Sequence, residues 1–434
     1  MSAQSKNMDS LNFGDFIKIN FKDKEFNGDF IRIDEEADVL IMKLKSGYDI
    51  AIPRKEIRGL SIIQRVAKEK VNTLTKSESY SFDNPDLTII TTGGTISSKI
   101  DYKRGGTSPF VPPEYYFQIA PDLKKYGNVA INKLMSIWSE DMAPRDWIKI
   151  AIAALSAIKK GSKGIMVTMG TDTMHFASAA MSFILNPLSV PVVFTGAQRS
   201  TDRGSTDAST NLLLSAITAL KWGGGESVIC MHANLNDNYN FILRGNRARK
   251  MHSERRDAFR PINTLPLGKV YLDGKIEKLS ENIKRSEETS INTKLDEKVA
   301  LLVSYPGMDG NLINAAIEKG THGIVIAGTG FGNLPLKEKS VYNALKRAKK
   351  EDIPVVLTSQ TIYGATNEFV YSRLRELSNF DNIIYVGNML TETAFAKLMF
   401  VLGQTKKIEE VKTIMNTTLA GEISDKDNLN EFLI

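Results

Sequence analysis

Residues 87–98 read LTIITTGGTISS, an apolar run that stops abruptly in Thr91-Thr92-Gly93-Gly94-Thr95. A buried strand that ends this way either turns or presents a hydroxyl where a small molecule can reach it. The same grammar recurs downstream. GIMVTM (164–169) runs straight into Gly170-Thr171-Asp172-Thr173, and further apolar runs stand at 190–196, 227–232, 299–305, 323–328 and 353–359. Between them lie helix-period segments such as RDWIKIAIAALSAIKKG and STNLLLSAITALKWG. Continuous apolar strands alternating with helices predict α/β domains with doubly wound parallel sheets, covered on both faces.

The N-terminal region reads differently. DFIKINF, GDFIRID, VLIMKLKSGYDIAIP and RGLSII are short alternating runs broken by Gly28, Gly47 and Pro53. They predict a small β-barrel over residues 1–75, with Phe13, Phe16, Phe21, Phe26 and Phe30 read as its core rather than as a platform for stacked bases. A linker at 76–86 leads into an α/β domain at 87–280. A second polar linker at 281–297 precedes a C-terminal α/β domain at 298–434.

Composition narrows the class. Of 434 residues, 42% are apolar and 24% charged, a profile of globular chains. No apolar run is long enough to span a bilayer, and the first ten residues lack a signal-peptide core, so a cytoplasmic protein with no membrane partner is expected. One cysteine, Cys230, fits a reducing compartment, and four histidines without paired spacing argue against a metal site. The net charge of +6 is mild. Its sharpest local excess is LRGNRARKMHSERR (243–256), which reads either as a contact for an anionic partner such as RNA or as a solvated or internally paired segment. GTGFGN (328–333) lacks the third glycine of a dinucleotide loop and reads as a sheet-end turn lining the active site. GGTISSK lacks the ending of a P-loop.

Parallel sheets bind ligands beyond the carboxyl ends of their strands, which is where Thr95 and Thr171 fall. The glycines allow close backbone approach, and turn amides can stabilise an oxyanion. A threonine hydroxyl needs a base, served well by a lysine oriented by a carboxylate, and Asp172 is the candidate orienter. The alternative is that each Thr-Gly cluster merely caps the helix that follows.

TTGGTI (91–96) and GTDTM (170–174), each following a strand, resemble the two signature motifs of the L-asparaginase/glutaminase amidohydrolases. The resemblance extends through SEDM (139–142), VFTGAQRS (193–200), RKMHSERRDAF (249–259), GTGFGNLP (328–335) and MLTETAFAKLMFVLGQTK (389–406). It implies an asparaginase-like two-domain fold with Thr95 as the attacking hydroxyl. Thr171, Asp172 and Lys250 would form a second hydroxyl–carboxylate–ammonium set, with hydrolysis passing through an acyl-enzyme. Gly94, Ser139, Glu140, Gly170 and Asp172 would bind the substrate. Tyr102 matches an activating tyrosine of the mobile loop at a shortened spacing, and Glu376 matches a glutamate lent by a neighbouring subunit. Met169 stands where bacterial members usually carry histidine, and Glu140 where many carry glutamine.

An asparaginase core behind a small barrel is similar, over essentially the whole chain, to the D-type subunits of archaeal tRNA-dependent amidotransferases. That similarity implies release of ammonia from glutamine or asparagine for conversion of Glu-tRNA(Gln) to Gln-tRNA(Gln). It also implies a D homodimer flanked by two E subunits, in a heterotetramer that engages tRNA(Gln). ATP and magnesium would be used on the E subunit, with no cofactor in this chain. The rivals are a free-standing cytosolic L-asparaginase and a binding module with an inactive core.

Overall fold

The computed structural model describes residues 8, 10–12, 14–35, 37–44, 49–65, 83–97, 99–101, 106–108, 115–201, 203–337, 339–426 and 430–432. Tyr102, Phe13 and most of the expected first linker lie outside them.

The N-terminal unit is one five-stranded antiparallel sheet. Its strands run Asp49–Pro53, Val39–Leu44, Lys24–Asp34, Phe16–Phe21, Ile57–Gln64 across the sheet. Register shifts at Phe30/Arg32, Phe16/Ile17 and Asn20/Phe21 bend the strands, as bulges do, so the sheet curls around its own core. The two outer strands are joined by the short turn Arg54–Glu56. Alternation sends Ile17 and Ile19 inward with Phe30, Leu40, Met42, Ile52 and Ile57, and Phe21 and Phe26 pack against that cluster. Phe16 is half-buried on the opposite register from Ile17 and Ile19, which corrects its assignment to the core.

The central unit holds an eight-stranded sheet. Val129–Ile137, Leu87–Gly93, Gly164–Thr168, Val192–Thr195 and Ser227–His232 are parallel neighbours in that order. Three antiparallel strands, Tyr239–Arg244, Gly268–Tyr271 and Ile276–Lys278, extend one edge. From Leu87–Gly93 the chain moves to one side to form Val129–Ile137. It then crosses back over and builds outward on the other side, beginning with Gly164–Thr168. The winding therefore reverses at the strands that carry the two threonine motifs, and such a switch point opens a crevice beyond the strand ends. Every residue of Leu87–Gly93 and Gly164–Thr168 is buried, as strands covered on both faces must be.

The C-terminal unit has four parallel strands in simple chain order, Val299–Val303, Gly323–Gly328, Val355–Ser359 and Ile383–Tyr385. Helices cover both faces, Asn311–Glu318 and Lys339–Lys350 on one, Thr391–Gln404 and Ile408–Asn416 on the other. Its winding does not reverse, so it has no switch point of the kind found in the central sheet. The segment between the sheets is tied down: Ser286, Ser290 and Asn292 amides donate to the carbonyls of Leu188, Pro187 and Ile184, and the Asp296 amide donates to Met399. Among the described residues, no helix is long and apolar enough to cross a membrane.

Candidate active site

The turn after Leu87–Gly93 needs two left-handed residues, with φ of +114° at Gly93 and +80° at Gly94. Only glycine takes these values without strain. Gly94 also lies directly against the second motif, because a Cβ there would sit 2.2 Å from the Gly170 nitrogen and 2.4 Å from its Cα. A Cβ at Gly170 would in turn meet Ser139 Cβ at 2.7 Å. Three loop ends thus touch one another at close range. Thr95 follows in a tight turn, Thr95–Ser97, half-buried, and no hydrogen bond of its hydroxyl occurs among the described residues. Beneath it, the buried Tyr116 hydroxyl bridges Ser97 Oγ (2.6 Å) and Thr168 Oγ1 (2.8 Å), locking the turn to the neighbouring strand.

Lys250 arrives from the short strand Ala248–Lys250. Its Nζ donates to Thr171 Oγ1 at 2.8 Å and to Asp172 Oδ1 at 2.7 Å. The lysine side chain is 9% exposed and the Asp172 carboxylate 66%, so the ammonium is inside while its partner faces the opening. Ser139 is buried at the same place, its hydroxyl 3.5 Å from Asp172 Oδ2 and 3.4 Å from Glu140 Oε2, with Glu140 exposed. Thr173 donates to the Ser139 carbonyl at 2.7 Å, joining that loop to the second motif. The Met174–Ile184 helix begins at Thr173 with no side-chain cap hydrogen bond. The hydroxyl of Thr171 meets Lys250 instead, so for this turn the capping reading is wrong. Helix-end partial charge favours the Asp172 carboxylate at this position.

The basic run 243–256 is internally paired. Arg244 donates to Glu226, Arg255 to Asp257 and Arg256 to Asp237, Arg249 forms an ion pair with Glu392, and Arg247 serves the Gly421 and Asn263 carbonyls and Asn388 Oδ1. GTGFGN closes on itself through the Thr329 amide and the Asn333 carbonyl. Its further hydrogen bonds run to Gln360, Ser359 and Asn367, and none joins it to the Lys250 cluster among the described residues. Glu376 lies exposed on the Ser372–Ser378 helix of the C-terminal unit, and no hydrogen bond or ion pair joins it to the cluster among the described residues.

Sequence reasoning missed Gln198, His175 and Glu392. Gln198 follows the parallel strand Val192–Thr195, and its Oε1 lies 3.5 Å from Thr171 Oγ1 while its buried Nε2 has no partner among the described residues. The strand-end rule that picked out Thr95 and Thr171 could have found it. His175 sits three residues beyond Asp172, buried against Glu392. Burial, with Arg249 and Lys250 nearby, lowers its pKa to about 3. Its imidazole is therefore neutral in the fold, whereas an unfolded chain binds a proton below about 6.5. The unfolded state binds more protons between these values, so stability is lost as pH falls from about 6.5 toward 3, by about 1.4 kcal/mol per unit. Between pH of about 6.5 and 5, chemical denaturation is expected to show the wild type losing roughly 2 kcal/mol more than His175→Gln. Equal losses would mean that the imidazole is not held neutral.

With this geometry in view, comparisons with known proteins are direct. Residues 86–284 match the family described as Asparaginase, N-terminal, and residues 298–415 the Glutaminase/Asparaginase C-terminal domain. The D subunit of the glutamyl-tRNA(Gln) amidotransferase of Pyrococcus furiosus is 42% identical, covering 92% of this chain and 90% of that one. Its counterpart in Pyrococcus horikoshii is 40% identical with 98% of both chains covered, and that of Methanobrevibacter smithii 40% with 98% and 96%. Among solved structures, the thermostable L-asparaginase from Thermococcus kodakarensis superposes with a TM-score of 0.71 at 27% identity, covering 78% of this chain and 99% of that one.

Proposed function

Because this chain belongs to the family of glutamyl-tRNA(Gln) amidotransferase D subunits, built on a glutaminase/asparaginase core, we propose that its Lys250 cluster releases ammonia from an amide donor for tRNA-dependent amidation. The observation that carries the mechanism is Lys250 bonded to both Thr171 and Asp172 on a turn that abuts Gly94. In its neutral form Lys250, held by Asp172, takes a proton through Thr171 from the attacking hydroxyl. The Thr95 oxygen bonds to the amide carbon and the carbonyl electrons move onto oxygen, where turn amides stabilise the charge. Collapse of that intermediate breaks the C–N bond as the lysine set returns the proton, and ammonia leaves. Water then cleaves the acyl-Thr95 ester, giving the free acid and regenerating the hydroxyl. Ser139, Glu140 and Asp172 hold the donor's amino-acid head against the Gly94 and Gly170 backbones, which the missing side chains let come together.

Free ammonia is mostly protonated at neutral pH and then not nucleophilic, so its chemistry favours delivery to a partner over release. That partner is an E subunit using ATP and magnesium on Glu-tRNA(Gln), in the cytoplasm. A homodimer is supported by the exposed run Phe369, Val370 and Tyr371, which leads into the helix carrying Glu376. A second copy covering that run would bury the apolar surface and receive Glu376 at its own site. An activating role for Tyr102 belongs to the same reading.

The test is ammonia release from glutamine and asparagine, measured on the chain alone and then with its E subunit, Glu-tRNA(Gln), ATP and magnesium. Slow release alone, accelerated in the full mixture with formation of Gln-tRNA(Gln), is expected. Rapid asparagine turnover unaffected by the other components would establish a free-standing L-asparaginase instead, the activity named for the Thermococcus kodakarensis protein that shares the core.

A further inference from the structure

We infer that Glu392, contributed by the C-terminal unit, is the positioning residue for Lys250. Successive residues of a strand project to opposite sides, so in Ala248–Lys250 the two basic side chains diverge. Lys250 reaches Thr171 and Asp172, while Arg249 forms an ion pair with Glu392, its Nε 3.0 Å from Oε1. The same carboxylate oxygen lies 3.9 Å from His175 Nε2, on the helix that follows directly from the turn carrying Thr171 and Asp172. One carboxylate therefore touches both elements that build the ammonium–hydroxyl–carboxylate set.

Its neighbour grips the same segment. Thr393 Oγ1 donates to the Asn246 carbonyl at 2.7 Å, so the first turn of the Thr391–Gln404 helix holds the chain on both sides of Arg247. Arg247 in turn spans to Asn388 and the Gly421 carbonyl, also in the C-terminal unit. Lys250 is thereby referenced to a different unit from the one that carries Thr95.

Stability alone does not account for this arrangement. Glu392 is only 5% exposed, and an apolar residue of similar volume is commonly as stabilising as a buried ion pair. Glu392 Oε2 and His175 Nδ1 are buried and without partners among the described residues, a further loss. A buried charge with that cost is accounted for by the geometry it enforces. Loss of the Arg249 bond frees the strand end, and a shift of about 1 Å at a reacting group costs on the order of 10²-fold in rate.

This inference rests on the reading of Lys250 as part of the ammonia-releasing set, so Lys250→Met is assayed beside the test variants. In the complete complex with E subunit, Glu-tRNA(Gln), ATP and magnesium, Glu392→Gln is expected to lower kcat for ammonia release by about 10- to 100-fold. The KM for the amide donor should stay within about twofold, because the donor-holding residues Ser139 and Glu140 are untouched. Arg249→Gln should do the same, and the double variant should fall no further than either single one, the mark of a shared bond. A kcat within about twofold of wild type, a loss confined to KM, or additive losses overturns the positioning role. Should Glu392→Gln fail to fold, Arg249→Gln, whose side chain is partly exposed, decides the question from the other end of the bond. Full activity in Lys250→Met overturns the functional reading itself, a result distinct from all of these.

Discussion

Lys250→Met is expected to lower kcat for ammonia release by about 10³–10⁴-fold, the loss typical when one member of a nucleophile-activating set is removed. Methionine approaches the length and apolar stem of lysine, so the fold should persist. The Lys250 side chain is 9% exposed and its Nζ is the link between Thr171 Oγ1 and Asp172 Oδ1, so its removal leaves the hydroxyl without a base. KM should change less than kcat, because Ser139 and Glu140, which hold the donor together with Asp172, are on another loop. Thr171→Val should produce a loss of similar size, and the double variant should be little worse than either, since residues acting as a unit are far from additive. A Lys250→Met protein that folds and keeps more than about a tenth of its kcat would sink the assignment. Sequential steps through Thr95 predict one more distinction: Thr95→Val should abolish acyl-enzyme accumulation in single-turnover trapping, whatever residual hydrolysis remains.

Gly94→Ala is the second substitution with a large expected effect, and its cause is steric. The added methyl would stand 2.2 Å from the Gly170 nitrogen, 2.4 Å from Gly170 Cα and 2.7 Å from the Met169 carbonyl carbon. All three are backbone atoms, of Gly170 and the residue before it, so no side chain can swing aside. The φ of +80° adds strain of its own. Together these should reduce stability by roughly 2–4 kcal/mol and, by separating Thr95 from Lys250, lower kcat by about 10²–10³-fold. Gly223→Ala is the matched control, because nothing lies within 4 Å of its added methyl and its φ is not in the left-handed region. It should leave Tm and kcat unchanged. If Gly94→Ala behaves like Gly223→Ala, the two motifs do not need their close approach, and the convergence of the turns is not what assembles the site.

The strands that carry the motifs were legible because their signals are local. A run such as LTIIT, apolar at most positions and closed by glycines, has few other uses than a strand covered on both faces. GIMVTM, SVICMH, GIVIAG and IPVVLTS were legible for the same reason. Val129–Ile137 was missed because Asn132, Lys133 and Ser136 interrupt its apolar run, as an edge position permits. The antiparallel extension from Tyr239 to Lys278 went unread because its strands are short and lack the strand–helix alternation. The basic run 243–256 was ambiguous since charge in a sequence does not reveal its counter-charge. Glu226, Asp237 and Glu392, which neutralise three of its arginines, lie outside the run.

By itself, the amino-acid sequence determined the α/β alternation, the two glycine-flanked threonine turns and their position at strand ends, because period, turn chemistry and strand burial act over a few neighbouring residues. The tertiary structure alone decided which distant groups meet. It reversed the sheet winding between the two motif strands, brought the Gly94 and Gly170 backbones together, carried Lys250 across 78 residues of chain to Asp172, and set Glu392 of another unit behind Arg249. The physical reason is that a hydrogen bond or an ion pair depends on separations of about 3 Å. Such separations between remote residues follow from how whole sheets and helices pack, not from spacing along the chain.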